Sequence, residues 1–518
     1  MASRRDELNA YTFAKRRTLA SFLQPSPSGS EEGAPKPLRA VLPGTILGVV
    51  ILAVFGAIGM FSPAAAPGWK EPYQNVIVAS KSTTRYVIME TGKKKQAQLH
   101  PVLNMASAKL LLADNRQDSV MTVEESVLDS GKIPHGVTVG IPYAPDRLPS
   151  AEEAGAEKRW MVCQRPTSGG EVQQATFVLG KNDRAKADNT NRLGGGELMY
   201  VVSDDKQKTE YIVDASGSKY ELSAKSPAEK QQLLRALNAY GKTPEKVSDA
   251  WLATLHGGSS PIAFPAFTDT PGAASRNNGS LSAADNKVGK VLVTESATRE
   301  VQYYVVLADR IASVTPFTAQ LLLASPTLSA VNSTSEAQKV ALGQIVTDGT
   351  PFAGDKKWPE HQAKTVNNAS PTVTDGRNVI CNTLRGVGDG NATTLSTWAG
   401  NDFPVALATG SSSTYVTPGS GQLFRQVQGT DTSGGVFLVT DTGLRYALQS
   451  NSDGDAKGTG VDASQKDIQK DLLQQSRIAQ TRLGYAKTKA TDIPIEWSKL
   501  LPTGPVLSTG AARQPQGS

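Results

Sequence analysis

The chain has 518 residues, 39% hydrophobic and 20% charged, with 47 glycines and 30 prolines. That is the balance of a globular protein of several units, with many turns and short strands rather than long helical bundles. A net charge of +6 spread over this length makes no case for nucleic acid, and two cysteines are too few for a disulfide scaffold.

Residues 1–23 predict a cytosolic amphipathic helix. Leu8, Tyr11, Leu19 and Phe22 recur at helical spacing on one face, interrupted by Lys15 at the start of the basic run Lys15-Arg16-Arg17. Such a helix suits either an anionic bilayer surface or a cytosolic partner that docks on Leu8, Tyr11 and Phe22. Residues 24–39 are a Pro/Ser/Glu linker.

Residues 40–61 contain no charge. At about 1.5 Å per residue this run covers the roughly 30 Å hydrocarbon core of a bilayer. A buried core helix would show a polar stripe, and a cleavable signal would be shorter and closer to the first residue, so an uncleaved anchor is expected. Arg4, Arg5, Lys15, Arg16, Arg17, Lys36 and Arg39 precede it, against Lys70 and Lys81 close behind. The bias places the N-terminus inside and the bulk of the chain outside. The single GxxxG of Gly44 and Gly48 is read as lipid-facing glycine.

Two kinds of unit alternate downstream. Strand-like Tyr86-Val87-Ile88-Met89, then Ala108 to Ala113, is echoed by Tyr304-Val305-Val306-Leu307, then Ala319 to Ala324, at an offset of 319 − 108 = 211. A second pattern runs from Tyr200-Val201-Val202 to Trp251 and again from Val436-Phe437-Leu438 to Trp497, at an offset of 497 − 251 = 246. The predicted order is unit A (62–150), core segment (151–197), unit B (198–264), loop (265–287), unit A′ (288–355), core segment (356–432), unit B′ (433–507) and a disordered tail (508–518). Strands mixed with helices give an α+β fold class, and the duplication predicts an internal pseudo-twofold axis around a central core.

Chemical motifs are few. His100, His135, His256 and His361 have no second His or Cys at metal-ligand spacing, and no G-x-S-x-G is present. Asp453, Asp455 and Gly458 sketch a calcium loop, but Lys457 stands at a ligand position. Residues 236–243 satisfy a relaxed phosphate-loop pattern ending in Gly241, Lys242 and Thr243. A phosphate loop follows a strand and opens a helix, whereas this one closes a helix, where carbonyls face outward. ATP is therefore the alternative, and no cofactor is the expectation.

Gly68-Trp69, Ser82-Thr83-Thr84-Arg85-Tyr86-Val87 and the run from Leu99-His100-Pro101 to Ala108 closely resemble the EccB family, a membrane component of the actinobacterial type VII (ESX) secretion machinery. The resemblance extends through the N-terminal Tyr11 to Arg17, Ile141-Pro142-Tyr143-Ala144-Pro145 and Trp160-Met161-Val162-Cys163 to Leu500–Ser508. It implies a cytosolic helix, one transmembrane helix and extracytoplasmic repeats around a core. It also implies EccC, EccD and EccE as partners, with the motor in EccC. The function expected is a structural membrane subunit whose outer domain self-associates as a homo-dimer or higher homo-oligomer. A membrane-anchored nucleotide hydrolase is the alternative, since EccB-like proteins sometimes carry the name ATPase. Within the motifs, His100 lacks an orienting acid, and Asn104 suits a helix N-cap, so both stretches read as structural.

Cys163 ends the strand-like Arg159-Trp160-Met161-Val162, and Cys381 ends Arg377-Asn378-Val379-Ile380, at an offset of 381 − 163 = 218. Equivalent positions in two halves approach each other near a twofold axis, and an extracytoplasmic compartment permits oxidation. A Cys163–Cys381 disulfide is therefore predicted, with two free buried thiols as the alternative.

Overall fold

A computed structural model describes residues 3–23, 38–61, 67–92, 95–113, 119–167, 171–296, 298–407, 413–431, 434–449 and 476–516, with the backbone alone at 23, 38–40 and 57–61. The sequence-predicted calcium-like loop lies outside these residues.

Helix α1 spans Arg4–Leu23, with Asp6 and Glu7 in its first turn, where acids complement the helix dipole. Helix α2 spans Leu38–Phe61 and carries Pro43 inside it. Thr45 Oγ1 donates to the carbonyls of Val41 and Leu42 at 3.0 and 2.9 Å, so its hydroxyl is satisfied within the helix. Among the described residues no helix is long and apolar enough to cross a membrane.

Unit A is a four-stranded sheet of β1 (Val76–Ala79), β2 (Arg85–Thr91), β3 (Gln96–Val102) and β4 (Val120–Val123), in the order β3-β2-β1-β4. Helix α3 (Met105–Leu110) lies between the third and fourth strands, and β4 returns parallel to β1. After the short helices α4 (Glu125–Leu128) and α5 (Ala151–Gly155), β5 (Arg159–Pro166) and β6 (Val172–Leu179) enter a central sheet.

Unit B follows, with β7 (Glu197–Ser203), β8 (Glu210–Val213), β9 (Ser218–Glu221), α6 (Pro227–Ala236), β10 (Glu245–Val247), α7 (Asp249–Leu252) and the edge strand β11 (His256–Gly257). Unit A′ has β12 (Val291–Glu295), β13 (Val301–Val306), β14 (Ile311–Val314), α8 (Pro316–Ala324) and β15 (Gln338–Lys339). Short β16 (Lys364–Thr365) joins β7. Strands β17 (Val379–Val387), β18 (Thr393–Gly400) and β19 (Thr414–Val416) complete the central sheet. Unit B′ contains β20 (Gly421–Val427), β21 (Val436–Thr440), β22 (Arg445–Ala447) and β23 (Thr491–Pro494).

All four units have one winding. Three antiparallel strands are followed by a helix, and a fourth strand returns parallel to the first. The expectation of two different kinds of unit is corrected here. A and B differ in the apolar strings they carry, not in topology, because many strings satisfy one alternation of buried and exposed positions. Unit B′ also begins earlier than expected, at β20 rather than at residue 433, since Gly421 to Val427 pairs with β21.

The central sheet has the order β18-β17-β5-β6-β19. Its inner strands are buried on both faces, so β5 reads as a nearly continuous buried run rather than as an alternation. One face, with Trp160, Val162 and Ile380, packs against Trp251 of unit B and Trp497 of unit B′. The opposite face forms a separate apolar layer with Phe177 and Trp398. Unit A shares a core with unit B′, through Leu110, Leu111, Leu438 and Tyr485. Unit B shares one with A′, through Leu233 and Leu237 against Phe317 and Leu321.

The C-terminal segment corrects another expectation. Ser508 caps a helical turn, Thr509–Ala512, by accepting from Ala511 N at 3.1 Å, and Ala512 is buried. Gly140 N donates to Gln514 O at 3.3 Å, and Gln516 Nε2 donates to Gly140 O at 2.8 Å. The tail through Gln516 is thus part of unit A's wall. Its sequence hides this because one buried alanine and one cap leave no periodic signal.

Candidate functional site

The two halves meet at the pairing of β5 with β17. The ladder is antiparallel, and Cys163 stands directly opposite Cys381, with Gln164 opposite Ile380 and Asn382 opposite Val162. The cysteines form a disulfide with an S–S distance of 2.06 Å and a Cα–Cα distance of 4.0 Å. Cα atoms this close belong to a non-hydrogen-bonded pair, the register in which opposite side chains approach most nearly. Both residues are buried beside Met161, Ala175 and Val379.

The other face of this seam is polar at its centre. Gln164 Nε2 donates to Gln174 Oε1 and Ser248 Oγ, both at 2.6 Å, and Asn382 Nδ2 donates to Thr254 Oγ1 at 2.7 Å. Trp251 Nε1 donates to Val162 O at 3.1 Å. These bonds fix unit B on the sheet, because an unpaired buried polar group would be costly there. They were not foreseen from sequence, where isolated Gln, Asn and Ser residues carry no spacing signal.

Gly241, Lys242 and Thr243 follow the C-terminal end of α6, and Gly241 has a φ of +77°. Ala239 N and Tyr240 N both close back on Leu234 O, a C-capping arrangement. Lys242 Nζ donates to Thr365 O, and Thr243 N donates to Asn368 Oδ1 at 3.0 Å. Burial, with Lys364 and Arg377 nearby, lowers the Lys242 ammonium below its ordinary range. The lysine ties α6 to β16. No strand leads into the loop, so it has no row of backbone N–H groups aimed at one phosphate.

The family-like stretches are junctions. Asn104 Oδ1 accepts from Ser107 N at 3.0 Å and caps α3, while its Nδ2 donates to Ile141 O at 2.8 Å. His100 is buried, with Nδ1 at 2.9 Å from Val137 O. Glu125 accepts from Ser82 N, Lys81 N and Ser80 Oγ, which hold its carboxyl down at about 2. Each makes the turn it sits in.

On α1, Leu8, Tyr11 and Phe22 are 64%, 69% and 89% exposed. A cavity of about 200 Å³ lies where unit B, unit B′ and the central sheet meet, lined among others by His256, Thr393, Glu496 and Trp497. His256 Nε2 is 2.6 Å from Thr393 Oγ1. Among the described residues no group of three His, Cys, Asp or Glu gathers to hold a metal. Glu245 on β10 is fully buried, both its carboxyl oxygens lack a hydrogen-bond partner among the described residues, and burial pushes its acid up to about 8.

The chain matches the family described as "Type VII secretion system ESX-1, transport TM domain B" over residues 1–517. It is 27% identical over 435 residues to the "ESX-3 secretion system ATPase EccB3" of Mycolicibacterium smegmatis, covering 80% of this chain and 76% of that protein. To the "ESX-1 secretion system ATPase EccB1" of Mycobacterium tuberculosis H37Rv it is 31% identical over 143 residues, 27% of this chain and 26% of that one. Its fold is similar to the EccB3 dimer from the ESX-3 core complex, with a TM-score of 0.54 and 21% identity over 85% of this chain and 99% of that one. A chain of an intact ESX-5 inner membrane complex, solved as a C3 composite, also scores 0.54, at 19% identity over 100% of this chain and 96% of that one.

Fold, motifs and family match together define a membrane-associated component of type VII (ESX) secretion. The chain belongs to the EccB family.

Proposed function

We propose that this chain is a structural subunit that anchors a self-associating outer domain to the cytosolic motor of an ESX machine. The observation that carries the anchor is α2, whose side chains over residues 41–56 bear no charge and leave Leu42, Leu47, Val50, Leu52 and Phe55 exposed around its circumference. Apolar surface on every side of a helix suits lipid rather than water. With its flanks, residues 40–61 supply the span, and the basic segment before it stays in the cytosol. The exposed face of α1 is the dock for EccC, EccD and EccE type partners. The shared winding of the units, and the register that sets Cys163 against Cys381, support descent by duplication about a pseudo-twofold axis.

The relatives' names carry "ATPase", but the Gly241-Lys242-Thr243 loop spends its lysine on a backbone carbonyl and supports a structural part instead. Protease added outside cells with a permeable wall tests the topology. Degradation of everything but a short N-terminal fragment is expected. Protection of the residues after 61 in intact cells, with digestion on lysis, would overturn the reading.

A further inference from the structure

The segment Ile141-Pro142-Tyr143-Ala144 is a tight turn closed by Ala144 N donating to Ile141 O at 3.2 Å. Proline in the second position and a φ of +62° at Tyr143 in the third make it a type II turn. The third position of that turn favours glycine, because a side chain there is strained. Tyr143 nevertheless occupies it and is 89% exposed. Neither strain nor exposure of an aromatic ring helps the isolated chain.

The turn is also held rigid. Ile141 N donates to Ser107 Oγ at 2.9 Å, Asn104 Nδ2 to Ile141 O at 2.8 Å, Ala106 N to Pro145 O at 3.3 Å and Met105 N to Asp146 Oδ1 at 3.0 Å. Four bonds to the start of α3 and two prolines leave little freedom to lose on binding, which is the condition for an anchor residue. Beside it Leu103, 43% exposed, packs on Gly140. Arg85 and Asp146 form an ion pair at 2.5 Å at the other end of the turn.

We propose that Tyr143 anchors a contact with a second copy of this chain. The nearby charges pair off, Arg85 with Asp146 and Arg147 with Asp441 at 3.8 Å, so the patch favours neither an acidic nor a basic partner and suits an isologous contact, in which one surface meets itself. A similar fold is solved as the EccB3 dimer from the ESX-3 core complex, and another within a C3 composite of an ESX-5 inner membrane complex. The assignment rests on the self-association proposed above and names its surface.

The test uses the full chain in mild detergent. Mass photometry across a dilution series compares wild type with Tyr143→Gly, which suits the turn's backbone. The glycine variant is expected to melt no lower than wild type and to self-associate roughly tenfold or more weakly. Equal association by the variant overturns this surface while leaving self-association standing. A wild type that stays monomeric throughout overturns both. In cells, a photo-crosslinking amino acid at position 143 is expected to trap a second copy, and a trapped different protein overturns the assignment.

Discussion

Glu245 shows how one residue sets a property of the whole chain. It lies at the first position of β10, beside Val201 in the ladder, and its side chain is sealed from water with no hydrogen-bond partner among the described residues. Its acid is raised from 4.5 to about 8 by desolvation. The folded chain therefore keeps a proton that the unfolded chain releases above about pH 4.5. Stability is full below that pH, falls as pH rises toward 8 and levels off beyond it. A tenfold change in proton affinity is worth about 1.4 kcal/mol, so the slope is measurable. Glu245→Gln should remove it. Thermal melts from pH 5 to 9 are expected to show wild type falling relative to the variant by several degrees, with the two closest at pH 5. Parallel curves would mean that the carboxyl finds a partner or water.

Lys242 teaches the opposite lesson about reading residues. A lysine in a G-K-T string suggests phosphate, but the string follows α6, and the ammonium reaches the backbone of β16 instead. The helix was legible in advance from the run that begins at Pro227, and the structure adds Ser226 as its cap, accepting from Glu229 N at 3.2 Å. The destination of the lysine was not, because Thr365 lies far along the chain.

Among elements, α1 stands apart. Its Leu8, Tyr11 and Phe22 are exposed. Changing all three to Ser removes apolar surface that the fold does not use, so the melting temperature should hold within a degree or two. The variant should remain in the membrane fraction yet lose EccC and EccD type partners on gentle solubilisation. Unchanged copurification, measured by quantitative mass spectrometry against wild type, would assign that face to the bilayer surface. The strands were legible from their patterning. Val201 and Val305 sit in runs whose alternation or length matches a buried sheet. The two-residue strands β11, β15 and β16 were not, since a pair of residues has no period.

For the whole molecule the decisive join is the β5–β17 ladder with its disulfide. The bridge closes a sequence separation of 218 residues. Loop-closure entropy for so long a loop puts its contribution at about 5 kcal/mol at most, with about 2–4 usual. The double variant Cys163→Ala, Cys381→Ala should fold, since the ladder and the layer around Trp160, Trp251 and Trp497 persist, but should melt several degrees lower. Reductant added to the wild type under partly denaturing conditions should reproduce that shift. An unaltered melt in both cases would show that the bridge constrains nothing.

The sequence by itself determined what depends on near neighbours and on solvent. The apolar run of α2, the helix of α1, the cap at Asn104 and the identity of the longer strands follow from local sterics and from burial pattern. Even the cysteine pairing was expected, from the similar offsets of the repeated strings, and the disulfide is present. Tertiary structure decided which units touch. It set A against B′ and B against A′, turned two kinds of sequence unit into four copies of one winding, and drew the C-terminal segment onto unit A. These choices rest on contacts such as Leu111 with Tyr485 in one core, whose partners are hundreds of residues apart. No periodicity records such a choice, because the free energy that selects it exists only when both surfaces are already formed.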